Sequence, residues 1–400
     1  MAVPFTRGSV RELVFGKPDD KGLLVVVFLR GGADTLNLVA PYSDDRYHRL
    51  RPTLALSEKS VLRIDDHYGF HPELAPLLPI FEDGRLGIVN GVGSDNPTGS
   101  HFECQDQIEH GASFSQSQHV SGGWLGRYLQ WRSRQDGPGA ISAVAIGKTL
   151  PESLRGAPSS AVLDKVSDLA MKVPSGEPGN PTDALRRLYA NEPGALGRQG
   201  GETLKLLERL APLREDAAAE KTSSGAYPED SFGQGLREVA RLAKADLGLE
   251  VATIDLDGWD SHFVQAAVFS GKAAALGKGL AAFDADIAAI RDRVTVVVMT
   301  EFGRRLYENS SLGTDHGRGF AMLAMGRGVA GGRIHGPWPI FEEEEEDVAT
   351  KIRADGLQVR YSYRTVLSEI LGSSAGLSPA DRLEVFPDAP DEEASGIGLL

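Results

Sequence analysis

Leu23-Leu-Val-Val-Val-Phe-Leu29 is apolar at every position. Successive side chains of a strand point to opposite faces, so a strand with one face in water alternates polar and apolar residues. A run that does not alternate is covered on both faces, the condition of a parallel sheet lying between helices. Similar short runs follow at residues 86–92, 141–146, 249–256, 294–299 and 320–325. Helical patterns are read at 234–244, over an alanine-rich stretch at 263–291, at 364–371, and at 74–81 despite Pro76 and Pro79. This alternation predicts the α/β class.

The 400 residues, 41% hydrophobic and 24% charged, describe a soluble globular chain able to bury a sizeable core. A net charge of -14 argues against nucleic acid or an anionic membrane as partner, while leaving room for a metal site that draws in a small anionic substrate. The single Cys104 excludes an internal disulfide and a cysteine-rich zinc site, which leaves His and carboxylates as metal ligands; Cys104 itself is expected to be a small buried hydrophobe. No run reaches the roughly 18–20 apolar residues of a membrane span. The first 20 residues hold neither an apolar signal core nor a twin-arginine pair, so the expected compartment is the cytoplasm.

Residues 151–231 have a different character, with few β-branched runs, a Gly/Pro-rich bridge at 174–181 and helical periodicity at 183–220. They are read as a helical insertion or cap within one domain spanning 1–400. Residues 223–233 are read as a return loop, and the five consecutive Glu within 341–347 as a solvated turn.

Polar groups collect just after the apolar runs, where open α/β sheets bind ligands. They are Asp34 after Arg30-Gly-Gly-Ala, Ser100 and His101, Asp260 and His262 in Trp259-Asp-Ser-His262, Glu301 and Arg304 in Thr300-Glu-Phe-Gly-Arg304, and Asp315 and His316 in Gly313-Thr-Asp-His-Gly317. His335 follows in a glycine-rich turn. Asp and His together can grip divalent cations, and a guanidinium can fork onto a tetrahedral oxyanion. Asp34 has a second reading, in which it or Thr35 caps a helix. Ser100 is either a nucleophile favoured by free helix amides or a simple N-cap. His71 before Pro72 is read as a turn residue, and Trp124 and Trp259 as packing anchors.

At Val27-Phe-Leu-Arg-Gly-Gly-Ala-Asp34, Phe70-His-Pro72, Pro97-Thr-Gly-Ser-His-Phe102, Gly123-Trp-Leu-Gly-Arg127, Gly258-Trp-Asp-Ser-His262, Thr300-Glu-Phe-Gly-Arg304, Gly313-Thr-Asp-His-Gly317 and Gly331-Gly-Arg333 the chain resembles the DUF1501 family. This is a bacterial group of unassigned function placed with the alkaline phosphatase and sulfatase superfamily. The resemblance implies a three-layer α/β/α sandwich of alkaline-phosphatase-like type and a metal-dependent hydrolase of a phosphate, sulfate or related ester. It implies that Asp34 shares one divalent ion (Zn, Mn, Mg or Ca) with Asp315 and His316, that Asp260 and His262 hold a second, and that His335 is the further downstream ligand. The nucleophile it implies is Ser100, with Thr98 as substitute and His101 beside it, while Arg304 or Arg30 neutralises the oxyanion. No Cys-x-Pro-x-Arg sulfatase signature is present. A phospho- or sulfo-transferase or mutase, and a non-catalytic assembly protein with a degraded site, are the alternatives.

Overall fold

A computed structural model of the chain describes residues 22–136, 141–165, most of 181–208, 227–336 and 356–389. Among the described residues nine strands form one sheet: β1 (Leu23–Leu29), β2 (Leu86–Gly93), β3 (Ala143–Ile146), β4 (Ser160–Leu163), β5 (Val251–Leu256), β6 (Val294–Met299), β7 (Phe320–Gly326), β8 (Ile334–His335) and β9 (Tyr361–Ser362). Their order is β8-β2-β7-β6-β1-β5-β3-β4, with β9 also pairing with β2. Pairing is parallel from β6 through β1, β5 and β3 to β4, and only β7 runs antiparallel to its neighbours β6 and β2. The chain is therefore a mixed α/β protein with a mostly parallel central sheet.

All seven residues of β1 are buried, as its unbroken apolar run predicts. Val25 and Val27 face a core shared with Phe232 and Leu236 of one helix and Leu276 and Leu280 of another. Leu24, Val26 and Phe28 face the opposite core, with Trp124, Tyr128, Val366 and Ile370. The helices supplying these layers, with the one that bears on the site, are α1 (His101–His110), α2 (Trp124–Asp136), α3 (Ser231–Lys244), α4 (Gln265–Asp286) and α5 (Tyr363–Ala375). Each buried Val or Leu contributes about 1.5–3 kcal/mol, so a seven-residue strand buried on both faces is placed by its burial rather than by its intrinsic propensity.

Several boundaries differ from the sequence reading for local reasons. The stretch at 74–81 is not one helix but a 3-10 turn at Pro72–Leu77 followed by a short helix at Leu78–Glu82, since each proline lacks the N–H that a continuous helix would need. α3 begins inside the expected return loop because the Asp230 carboxylate accepts the Gly233 N–H. Ser160–Leu163, within the stretch read as helical insertion, is instead the edge strand β4. A helix at Pro181–Ala190 falls in the expected helical segment. The Gly/Pro bridge up to residue 180 and the Glu run lie outside the described residues. His71 caps the 3-10 turn through Nδ1, and Trp124, Trp259 and Cys104 are buried. Among the described residues no helix is long and apolar enough to cross a membrane.

Candidate metal centre

β2, β1, β5 and β6 all point the same way, and the loops leaving their carboxyl ends meet over the sheet. The loop after β2 supplies His101 at the start of α1, the loop after β5 supplies Asp260 and His262, and the loop between β6 and β7 supplies Glu301, Asp315 and His316. Among the described residues, His101, Asp260 and His316 offer ligand atoms that all lie within 4.8 Å of one another. His262 joins them, its Nε2 lying 3.1 Å from Asp260 Oδ1 and 2.9 Å from His316 Nε2.

The protons on these rings follow from what surrounds each Nδ1. His101 Nδ1 lies 2.8 Å from Glu301 Oε1. Burial alone would raise the Glu301 carboxyl, but bonds from His101, Gln105 and backbone amides hold it below the usual range, so it is ionised and can only accept. His262 Nδ1 lies 2.9 Å from Asp315 Oδ1, and the Asp315 carboxyl is likewise held low: partial burial pushes it up, but His262 and Asn309 outweigh that. His316 Nδ1 lies 2.8 Å from the Gly99 carbonyl, which has no proton to give. All three Nδ1 atoms must therefore be the donors, and in the neutral rings all three Nε2 atoms carry lone pairs. Burial, outweighing the bond to the Gly99 carbonyl and aided by the Arg304 guanidinium, lowers the tendency of the His316 ring to take a second proton.

The lone pairs converge. His101 Nε2 is buried without a hydrogen-bond partner and sits 3.5 Å from Asp260 Oδ2, while the Nε2 atoms of His262 and His316 confront each other. Two imidazole lone pairs at 2.9 Å repel unless a proton or a cation lies between them. The donor set of three imidazoles and one carboxylate, with a carboxylate or carbonyl behind each ring, fits a divalent metal whose ligands are oriented by outer hydrogen bonds. Asp260 stays ionised for the same purpose: burial opposes its charge, but the Arg304 guanidinium bonded to it and the neighbouring His262 and His101 prevail.

Five of the expected site residues are engaged in other contacts. Asp34 does not reach the cluster; both its side chain and that of Arg51 are fully buried, and Arg51 Nη1 donates to Asp34 Oδ2 at 2.6 Å while Gln265 Nε2 donates to the same oxygen at 2.5 Å. It also makes no helix-capping bond, and its Oδ1 is buried without a partner. Arg304 is not free for an oxyanion. Its donors go to the carbonyls of Gly32, Gly31, Thr314 and Trp259 and to Asp260, which ties the loops after β1, β5 and β6 together. Arg30 is neutralised by Glu109 and Asp255. His335 lies on β8 beside Val89, in mid-strand, with Nε2 bonded to the Ala330 carbonyl. Asp315, expected as a ligand, stands behind His262.

A cleft of about 400 Å³ opens beside the cluster, lined in part by Thr98, Gly99, His262, Arg305, His316 and Arg318. The Ser100 hydroxyl is the N-cap residue of α1 but makes no capping bond, whereas the Thr98 hydroxyl donates to Asn96 Oδ1 and accepts the Ser100 N–H. Arg305, Arg51 and Gln265 had no motif to announce them. Glu301 stood in a recognisable motif, but its partner His101 lies 200 residues away.

Gly313 has a steric basis. A Cβ on Gly313 would lie 2.4 Å from the His262 carbonyl oxygen and 2.7 Å from that of Ser261. Gly313→Ala is expected to push the two ligand loops apart, costing about 1–3 kcal/mol by overpacking and weakening metal binding. Urea unfolding paired with a metal titration checks both effects.

The profile described as "Protein of unknown function (DUF1501)" matches residues 88–369. No curated protein matches the chain. Among solved structures, a 2-O GAG sulfatase is 12% identical with a TM-score of 0.34, the match covering 77% of this chain and 65% of that one. Ps i-CgsB, solved in complex with k-i-k-neocarrahexaose, is 10% identical with a TM-score of 0.36, covering 79% and 68%. The chain thus spans about two thirds of the length of these structures. The profile's span contains His101, Asp260, His262, Glu301, Asp315 and His316, and by this match over most of its length the chain belongs to the DUF1501 family.

Proposed function

We propose that the chain is a metal-dependent hydrolase of a sulfate, phosphate or related ester, on an alkaline-phosphatase-like α/β/α scaffold. The observation that carries this is the convergence of three Nε2 lone pairs on Asp260, each ring held from behind by Glu301, Asp315 or the Gly99 carbonyl. The residues that would hold the ion are His101, Asp260, His262 and His316. An imidazole-rich set suits zinc and its transition-metal neighbours better than calcium or magnesium, which prefer all-oxygen shells. When bound, the ion supplies Lewis-acid polarisation of the ester oxygen and neutralises developing charge.

The chain's own groups do the rest. Ser100 stands at the first turn of α1, where free backbone amides favour negative charge on its hydroxyl oxygen, so it is the proposed nucleophile, with Thr98 as substitute. Arg305 and Arg318 line the cleft and hold the anionic head. The role first expected of Arg304 passes to Arg305, whose Nε donates to the His316 carbonyl and whose Nη1 donates to Tyr307.

Because Arg51 already neutralises Asp34, we propose one ion per chain rather than two. Metal analysis of the purified protein, alongside a panel of sulfate and phosphate esters with and without chelator, tests both statements. One zinc-class ion per chain, retained by Asp34→Asn, and turnover lost on chelation are expected. A protein that binds no divalent ion, or ester turnover indifferent to chelator, rejects the hydrolase reading. Two ions, one of them lost in Asp34→Asn, would restore the two-metal arrangement.

A further inference from the structure

Large apolar side chains in water are ordinary when scattered, and informative when they gather at a site. Here two of them directly follow proposed ligands. Phe102, directly after His101, is 87% exposed; Phe263, directly after His262, is 72% exposed; Val264, Val268 and Leu312 are 56%, 47% and 48% exposed. Val264 and Leu312 are also two of the three non-glycine residues with positive φ among the described residues, at 43° and 59°. For a β-branched residue such as Val264 this conformation is strained, and strain of this kind persists where surrounding structure enforces it. Backbone bonds enforce it here: the Val264 N–H donates to the Ser311 carbonyl and the Gln265 N–H to the Leu312 carbonyl, both at 2.9 Å. The loop that carries His262 and the loop that carries Asp315 and His316 are thus clasped edge to edge, with exposed apolar side chains at the clasp.

We infer that the site takes an amphiphilic ester, with a sulfate or phosphate head in the cleft and an alkyl or aryl body lying on Phe102, Phe263, Val264 and Leu312. The head group rests on the hydrolase reading above; the apolar body rests on the rim alone. A charged head and an apolar body are required together because the Phe263 ring lies 6.5 Å from that of His262, which lines a cleft carrying Arg305 and Arg318 in a chain of net charge -14. A second copy is a poorer occupant, since a two-fold contact through this face would bring Arg305 and Arg318 of both copies together. A hydrophilic sugar ester would leave the rim in water.

The test compares straight-chain alkyl sulfates and phosphates from two to eight carbons with a sugar sulfate, and measures binding of the corresponding alkylphosphonates by calorimetry so that affinity is read without turnover. Full burial of a methylene is worth about fourfold in affinity, so partial cover at a rim predicts roughly twofold per methylene in both kcat/KM and phosphonate affinity. The Phe102→Ser/Phe263→Ser double variant, altered only at solvent-exposed positions, is expected to flatten that slope. Turnover independent of chain length, or a slope unchanged in the double variant, overturns the amphiphile inference and leaves the hydrolase reading standing. Phosphonate binding with a Phe-dependent slope but no turnover of any ester does the reverse. A double variant that converts a dimer to a monomer with no change in slope assigns the rim to a second copy and also overturns the inference.

Discussion

His316→Ala is expected to remove metal binding and with it activity, while leaving the fold nearly intact. His316 is the ring shared by the whole centre: its Nε2 is 2.9 Å from that of His262 and 3.5 Å from Asp260 Oδ1, and its Nδ1 is anchored on Gly99. Losing an outer partner of a ligand weakens a metal site by about 10–100-fold, so losing the ligand itself should weaken it further. With several kcal/mol of charge stabilisation gone, ester turnover should fall on the order of 1000-fold. His101→Ala should match it, and Glu301→Gln, which keeps the shape but turns an acceptor-only group into a mixed one, should produce the smaller outer-partner loss. Calorimetric metal titration with parallel kinetics reads all three. A His316→Ala protein that bound its ion as tightly as the parent would remove His316 from the ligand set.

Arg304→Met should have the largest effect on stability. The fully buried guanidinium satisfies the carbonyls of Gly31, Gly32, Trp259 and Thr314 and the Asp260 carboxylate, five acceptors on three loops. Leaving buried acceptors without donors costs about 1–3 kcal/mol each; the four carbonyls share one guanidinium and the Asp260 carboxylate is half-exposed, so a net loss of about 3–5 kcal/mol is expected. Against a typical domain stability of about 5–15 kcal/mol this is a large fraction. Lysine should not rescue it, because a single ammonium cannot fan out to carbonyls on several loops. Urea unfolding of the metal-free proteins is the measurement, since bound ion would mask part of the loss. A change below about 1 kcal/mol would show that the clamp is not what holds the loops.

The contrast between Asp34 and Asp260 shows how far the sequence reading reached. Both are carboxylates in a loop just beyond a strand of the central sheet, and both were expected as ligands. Asp260 stands among imidazoles with its side chain 48% exposed. Asp34 is fully enclosed, where an unpaired charge is so costly that a counter-charge is obligatory, and Arg51 supplies it. Nothing in the local pattern around Arg51 distinguishes it from Arg46 or Arg49. Arg304 shows the same limit: a conspicuous arginine in a strand-end motif is readable, whereas its commitment to five acceptors is not.

The sequence by itself determined the apolar strands, the α/β class, and the placement of Asp260, His262, Asp315 and His316 in loops at strand ends, because periodicity and strand-end chemistry are local properties of a chain. Tertiary structure alone decided that His101 turns its Nε2 toward Asp260, that Glu301 stands behind it, and that Asp34 belongs to Arg51. These are pairings across tens to hundreds of residues. They are selected by which charges must be neutralised once water is excluded, and that condition exists only after the chain has folded.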